Sequence, residues 1–380
     1  MIKNTKNAEM IDSNKKSNVI SYSIMKKIVN SGLISRSNLA KELGVTKTII
    51  SKKVNELLNV GFLIEVGKGN NSLGKKEILL DINGKHKNIL VIDLSKNRFS
   101  FGIYDLKKKE IVYKYMEYPK AEEIGGIFDK IVSDYTDKNL IEVVVFSVPG
   151  VVNGLQLDNV KDKKLLDIFE ELKKCCYANY FKVKVYNDVE LESYGVKNMN
   201  KYKEKGNFFV LSCNYGIGGS IIVNDKVYLG ENNYAGEVAL LNPIINEGTI
   251  TTFEDRCSIR GMMERYNKDK DKNIKDKELR ELIKKGDKTI EKYYQEMYDE
   301  FALILFNIAC VTDVKKYVLI GDLFTLKLDF LECLNKRMEV LEKLSKPIHI
   351  EIPSASCSAI DGAKILALEE IISSTAKNSV

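Results

Sequence analysis

Between Asn18 and Gly61 the apolar residues recur at helical spacing, and from Phe62 onward they shift to short blocks and alternation. Val19, Ile20, Ile24, Ile28 and Val29 fall on one face of a helix that Ser31-Gly32 ends. A second, short helix follows in SRSNLAKELG, where Ser35 caps the start, Leu39, Ala40 and Leu43 face inward, and Gly44 supplies a left-handed stop. VTKTIISKKVNELLNVG predicts a third helix, capped by Thr46, with Ile50, Val54, Leu57 and Leu58 inside and Gly61 beyond its end. Two helices joined by a tight glycine turn predict a helix-turn-helix. FLIEV (62–66) and EILLDI (77–82) read as two strands, and the loop GKGNNSLGKK between them reads as the tip of a wing.

After a short linker at 82–87, strands and helices alternate, twice in the same order. The first pass is NILVID, RFSFGIYD and EIVYKYMEY, a helix near 122–136, the strand EVVVFSVPG, a helix, and KVYND leading into a helix. The second is NFFVLSC, GSIIVN and KVYLG, helices through 311, the strand KYVLIGD, a long helix, and PIHIEIP leading into a final helix. A repeated β-β-β-α-β-α-β-α unit predicts two similar α/β lobes, 88–200 and 201–380, with a cleft between them.

Charge sharpens the division. The chain carries a net +6, yet through Lys76 it has 14 lysines and arginines against 5 acids, a net +9, so the rest is net negative. A polyanion is therefore expected at the N-terminal module, residues 18–81. Lys47, Thr48, Ser51, Lys52 and Asn55 lie on the outward face of the third helix, where short polar and basic side chains suit a DNA groove. Arg36 and Ser37 at the start of the second helix, Thr46, and Lys68, Lys75 and Lys76 of the wing complete the expected DNA contacts. Residues 1–17 read as a disordered basic arm. NKDKDKNIKDKE (267–278) reads as solvated surface.

Other chemistries find little footing. The seven cysteines show no C-x-x-C spacing, and the two histidines, His86 and His349, lie far apart, so neither a disulfide framework nor a zinc cluster is expected. The N-terminus lacks a secretory apolar core and FALILFNIACV (301–311) is too short to span a bilayer, which predicts a cytoplasmic protein. In VIDLSKNRFSFG (91–102) an acid ends a strand as it does before many phosphate-binding loops. Leu94, Ser95, Lys96, Asn97 and Arg98 fill the turn, and none of them is glycine.

SRSNLAKELGVTKTIISKKVNELLNVGFLIEVG, SVPGVVNG (147–154), YND (186–188), NYGIGGSIIVNDKVYLG and AGEVALLNP, in this order, resemble the ROK family of repressors, open reading frames and sugar kinases. The N-terminal module resembles its repressor branch, which includes xylose and N-acetylglucosamine repressors. The resemblance implies a winged helix-turn-helix followed by a two-lobed, actin-like body related to ribonuclease H. It places Asp188 of Asn187-Asp188 where the kinases carry their general base, although a helix N-cap is the plainer reading of the same residue. Gly216, Gly218 and Gly219 match a second phosphate loop. The kinases' D-x-G-G-T corresponds to Asp93 through Asn97, without its glycines; Lys96 or Arg98 remains as a point charge. Of E-x-G-H only Glu237 remains, with Leu240 at the histidine, and of the cysteine-rich zinc motif only Glu254, so no zinc and no cofactor are expected.

Gly150, Asn187, Asp188, Glu237 and Glu254 are thus the expected effector contacts. Together these readings predict a DNA-binding regulator of carbohydrate metabolism, a repressor sensing a sugar or sugar derivative. It would bind a palindromic operator as a homodimer or tetramer, with dimerisation helices in the second lobe. Two alternatives remain at this level: an ATP-dependent sugar kinase with a regulatory head, and a ligand-independent DNA-binding protein whose body is a dimerisation scaffold.

Overall fold

The computed structural model describes residues 2–69, 77–95, 98–158, 160, 162–199, 202, 206–344, 346–354 and 357–378, with the backbone alone for 2–16, 68 and 69. Its N-terminal part comprises α1 (Ile2–Ser31), β1 (Ile34–Ser35), α2 (Arg36–Leu43), α3 (Lys47–Asn59), β2 (Leu63–Gly69) and β3 (Glu77–Ile82). The expected stops and starts are in place. Ser35 Oγ accepts from the Asn38 N–H, Gly44 ends α2 at φ 64°, and Thr46 Oγ1 accepts from the Ile49 N–H. β1 and β2 flank β3 in an antiparallel sheet, with Ile34 opposite Leu80 and Leu63 opposite Ile82. The wing tip, with Lys75 and Lys76, lies outside the described residues.

Three expectations change. α1 begins at Ile2, so the supposed disordered arm is helical backbone; no Gly or Pro interrupts Ile2–Ser31. Val19 is 63% exposed, because five residues at 100° each carry it about 140° round from Ile24; Ile24, Met25 and Ile28 form the inward stripe. Leu58 is only partly covered, and the stem of Lys53 packs inside with Ile50, Val54 and Leu57, its ammonium 2.5 Å from Glu56. The linker and the strand before it are tied to both neighbours. Asn83 Nδ2 donates to the Gly61 carbonyl at 2.9 Å, and Lys107 pairs with Asp81 at 2.5 Å.

The body opens with β4 (Asn88–Asp93), β5 (Phe99–Asp105), β6 (Glu110–Met116), α4 (Ile124–Asp134), β7 (Ile141–Val148), the hairpin β8 (Val151–Asn153) and β9 (Gln156–Asp158), α5 (Lys163–Ala178), β10 (Lys182–Asn187) and α6 (Asp188–Asn198). It continues with β11 (Phe208–Cys213), β12 (Ile217–Val223), β13 (Lys226–Tyr228), the hairpin β14 (Ile244–Asn246) and β15 (Thr249–Thr251), α7 (Phe253–Cys257), α8 (Ile259–Lys270), α9 (Asp276–Lys285) and α10 (Lys288–Thr312). β16 (Lys316–Ile320), α11 (Asp322–Leu326), α12 (Phe330–Leu341), β17 (His349–Glu351) and α13 (Ala359–Asn378) close the chain. One five-stranded sheet runs β6-β5-β4-β7-β10 and the other β13-β12-β11-β16-β17. Each therefore orders its strands third, second, first, fourth, fifth, which is the internal repeat in spatial form. The central strands β4 and β11 are buried at every residue, as their unbroken apolar runs require.

Two compact units emerge, and neither ends at residue 200. One takes Met1–Phe146, Asp162–Val185 and Ala363–Val380; the other takes Ser147–Lys161 and Tyr186–Gly362. α6 belongs to the second unit because it packs on β12 there: a Cβ on Gly218 would lie 2.6 Å from Val189 Cγ2. After Gly362, α13 belongs to the first unit. Its Glu370 binds Lys182 and, at 3.1 Å, Lys184 of β10, and Glu369 meets Lys26 of α1 at 2.9 Å. The second unit's core includes edge-to-face rings of Phe253, Phe301, Phe324 and Phe330 with centroids 4.9–5.6 Å apart.

Candidate functional site

The turn after β4 is closed on itself. Asp93 is buried, and its Oδ1 accepts from the Ser95 N–H at 3.0 Å and from Ser95 Oγ at 2.7 Å, an Asx turn that uses the N–H a phosphate would need. The Tyr118 hydroxyl donates to the Leu94 carbonyl. Arg98 donates to the Tyr113 hydroxyl at 3.3 Å and stacks over Tyr115, 4.7 Å from its centroid, so the point charge is held on β6. Lys96 and Asn97 lie outside the described residues.

The expected effector residues all fall in the second unit, and a chain of short contacts joins them. Gly150 has φ 87°, and a Cβ there would meet Val160 at 2.6 Å. Its carbonyl accepts from Asn187 Nδ2 at 2.9 Å, while Asn187 Oδ1 accepts from the N–H groups of Val189 and Glu190. Asn187 is therefore the N-cap of α6, not Asp188. Asp188 is the first helical residue, with Oδ1 3.0 Å from the Val189 N–H, and Asn187 cannot both cap and turn freely toward a ligand. Val189 packs on Gly218 of β12, and the N–H of neighbouring Gly219 donates to the Gly236 carbonyl at 3.0 Å, beside Glu237.

The two glutamates have different states. Burial, and then the nearby charge of Glu254, raise the Glu237 carboxyl above its ordinary value. Glu254 is already engaged. Its Oε1 accepts from the Ile217 N–H at 2.9 Å and its Oε2 pairs with Arg260 at 2.9 Å, so it fixes the start of β12 rather than waiting for a hydroxyl. Gly216 leaves room for that carboxylate, since a Cβ there would crowd Glu254 Oε1 and push the side chain aside. Sequence reasoning missed Glu190, whose carboxyl burial pushes up to about 7, and Asn233, whose Nδ2 donates to the Val152 carbonyl and to Asn153 Oδ1. Asn233 had one signal, an asparagine between two glycines, Gly230 and Gly236; Glu190 had none.

In the N-terminal module Thr46, Lys47, Thr48, Lys52 and Asn55 are exposed and Ser51 partly so. Arg36 is spent internally: it bonds Asn55 Oδ1 at 3.2 Å and Glu65 at 2.9 Å, tying α2, α3 and β2 together. Ser37 donates to Glu77 at 2.5 Å.

Residues 89–369 match the ROK family. The chain belongs to the ROK family. It is 27% identical to the xylose repressor of Staphylococcus xylosus over 310 residues, spanning 75% of this chain and 77% of that one. Its fold resembles that of a ROK transcriptional regulator described as a homologue of the E. coli MLC protein, with TM-score 0.72 and 15% identity over 95% of this chain and 98% of that one. It also resembles the ROK hexokinase of Thermus thermophilus, with TM-score 0.59 and 17% identity over 75% and 99% of the two chains. The body is thus a ROK, sugar-kinase-like α/β fold. The zinc that the ROK resemblance brings to mind does not fit these residues. Leu240 is an exposed hydrocarbon with no ligand atom, and no group of three or more possible ligands stands around Cys257 or elsewhere among the described residues. Nor is any helix among them long and apolar enough to cross a membrane.

Proposed function

We propose that the protein is a transcriptional repressor that reads an operator through a winged helix-turn-helix at residues 18–81 and releases it when the second unit takes up a sugar. The observation that carries this reading is α3: between the Thr46 cap and its buried stripe it offers Lys47, Thr48, Lys52 and Asn55 to solvent, which is what a major-groove helix needs. The two-fold relation of paired reading heads makes a palindromic operator and a homodimer or larger assembly the expected form. The similarity to a xylose repressor makes pentoses, xylose first, the leading effector class. Asp188 and Glu237 offer carboxylates for the hydroxyls of a polyol, and Asn187, held by its cap, fixes the start of the helix that carries Asp188.

The same reading makes the body no kinase. In it, Asp93 and Ser95 close the turn that would cradle phosphates, and Arg98 is held by tyrosines. Selecting fragments of the source genome with the full-length protein at near-physiological salt tests the proposal. Enrichment of a palindromic site that xylose or a related sugar releases supports it. Binding that salt abolishes without sequence preference, together with ADP release from ATP on adding a sugar, overturns it in favour of the kinase reading.

A further inference from the structure

Resting on the sugar-site reading above, we propose that Asn233 and Arg256 are positioning residues that hold the turn presenting Glu237 from its two sides. Residues 230–236 form a loop bounded by Gly230 at φ 77° and Gly236 at φ 100°, closed at its base by the Ala235 N–H on the Leu229 carbonyl. Asn233 occupies this loop at φ 58°. Its Nδ2 donates to the Val152 carbonyl at 3.0 Å and to Asn153 Oδ1 at 2.6 Å, both on the β8–β9 hairpin whose Gly150 carbonyl receives Asn187.

Beyond Glu237, Arg256 of α7 performs the matching task. Its Nη2 donates to the Asn242 carbonyl and its Nη1 to the Thr251 carbonyl, both at 2.8 Å, and its Nε and Nη2 grip Glu300 of α10 at 3.1 Å each. The fork thus spans both ends of the β14–β15 hairpin and anchors it to a long helix.

These ties matter because packing does little here. Of the 3-10 turn Val238–Leu240 only Val238 is buried, while Leu240, Leu241, Ile244 and Ile245 are exposed. A glutamate beside a second glutamate gains by swinging into water, and Val238 alone anchors only one side of the turn against that. The Gly219–Gly236 backbone bond restrains one point of the turn; Asn233 and Arg256 restrain the chain before and after Glu237.

The test compares the full-length protein with Asn233→Gly, which keeps the left-handed backbone and removes the amide, and Arg256→Lys, which keeps the charge and loses the fork. The first readout needs no ligand: the titration of the Glu237 side-chain carboxyl by carbon-13 NMR, assigned with Glu237→Gln. It is expected above the ordinary glutamate range in the unaltered protein and nearer to it in both variants. The second is calorimetric affinity for D-xylose and a panel of pentoses and hexoses, expected to weaken about tenfold in each variant. Should Asn233→Gly fail to fold, Asn153→Ala removes the shorter of the two Asn233 bonds at an exposed position, with a smaller shift of the Glu237 titration expected in the same direction. An unchanged Glu237 titration in the folded variants overturns the inference. If the titration moves while no sugar of the panel binds the unaltered protein, the positioning stands and the sugar reading falls.

Discussion

Glu190 is a carboxyl that its surroundings disfavour as an anion. Burial raises it from about 4.5 to about 7 in the folded chain, while the unfolded chain ionises it at the ordinary value. Between those values the unfolded state has released a proton that the folded state keeps, so stability falls as pH rises through this window and levels off above it. Glu190→Gln is expected to remove that slope and to leave the protein up to about 3 kcal/mol more stable than the parent above pH 7.5. Urea denaturation from pH 4.5 to 8 checks it, and parallel curves for the two proteins would refute it. Gly362 makes a second residue-scale case. A Cβ there would lie 1.8 Å from the Leu191 carbonyl oxygen, a backbone atom that cannot step aside. Gly362→Ala should therefore cost at least the ~1–3 kcal/mol of ordinary overpacking, read as a lowered melting temperature.

At the scale of elements, α3 carries the clearest expectation. Lys52→Ala, on its exposed face, should weaken operator binding across sequences and reduce the slope of log affinity against log salt by about one if Lys52 meets a phosphate. A loss confined to one base position would instead place it at a base edge. The elements themselves were legible because their signals are local. Ser35, Gly44 and Thr46 announce the helix ends within four residues of the atoms they bond, and the strand blocks of the body repeat in order. The hairpins β8–β9 and β14–β15 were not legible. They are three residues per strand, and Ile244, Ile245 and Ile250 of the latter are exposed, so no burial pattern marks them. The candidate site was legible only where a motif marks it. The ROK resemblance pointed to Asn187, Asp188 and Glu237, but the engagement of Glu254 by Ile217, or of Arg256 by Asn242, depends on partners that only folding brings near.

At the scale of the molecule, the repeat hides an asymmetry. The division at residue 200 suggested by the repeated order of elements overlooks α13, which starts in one unit and completes the other with Leu368, Ile371 and Ile372 buried there. A chain stopped after Gly362 keeps every residue of the helix-turn-helix, yet it is expected to lose operator binding, as measured by fluorescence anisotropy on a labelled duplex. Retained binding would show that residues 1–81 stand alone. α13 also has a meaning in time. On the ribosome the N-terminal residues emerge first, but the helix that completes their unit comes after the whole of the second unit has been synthesised. Until those last residues are made, the first unit is without part of its own core, so folding of the N-terminal unit has to wait for synthesis of the second.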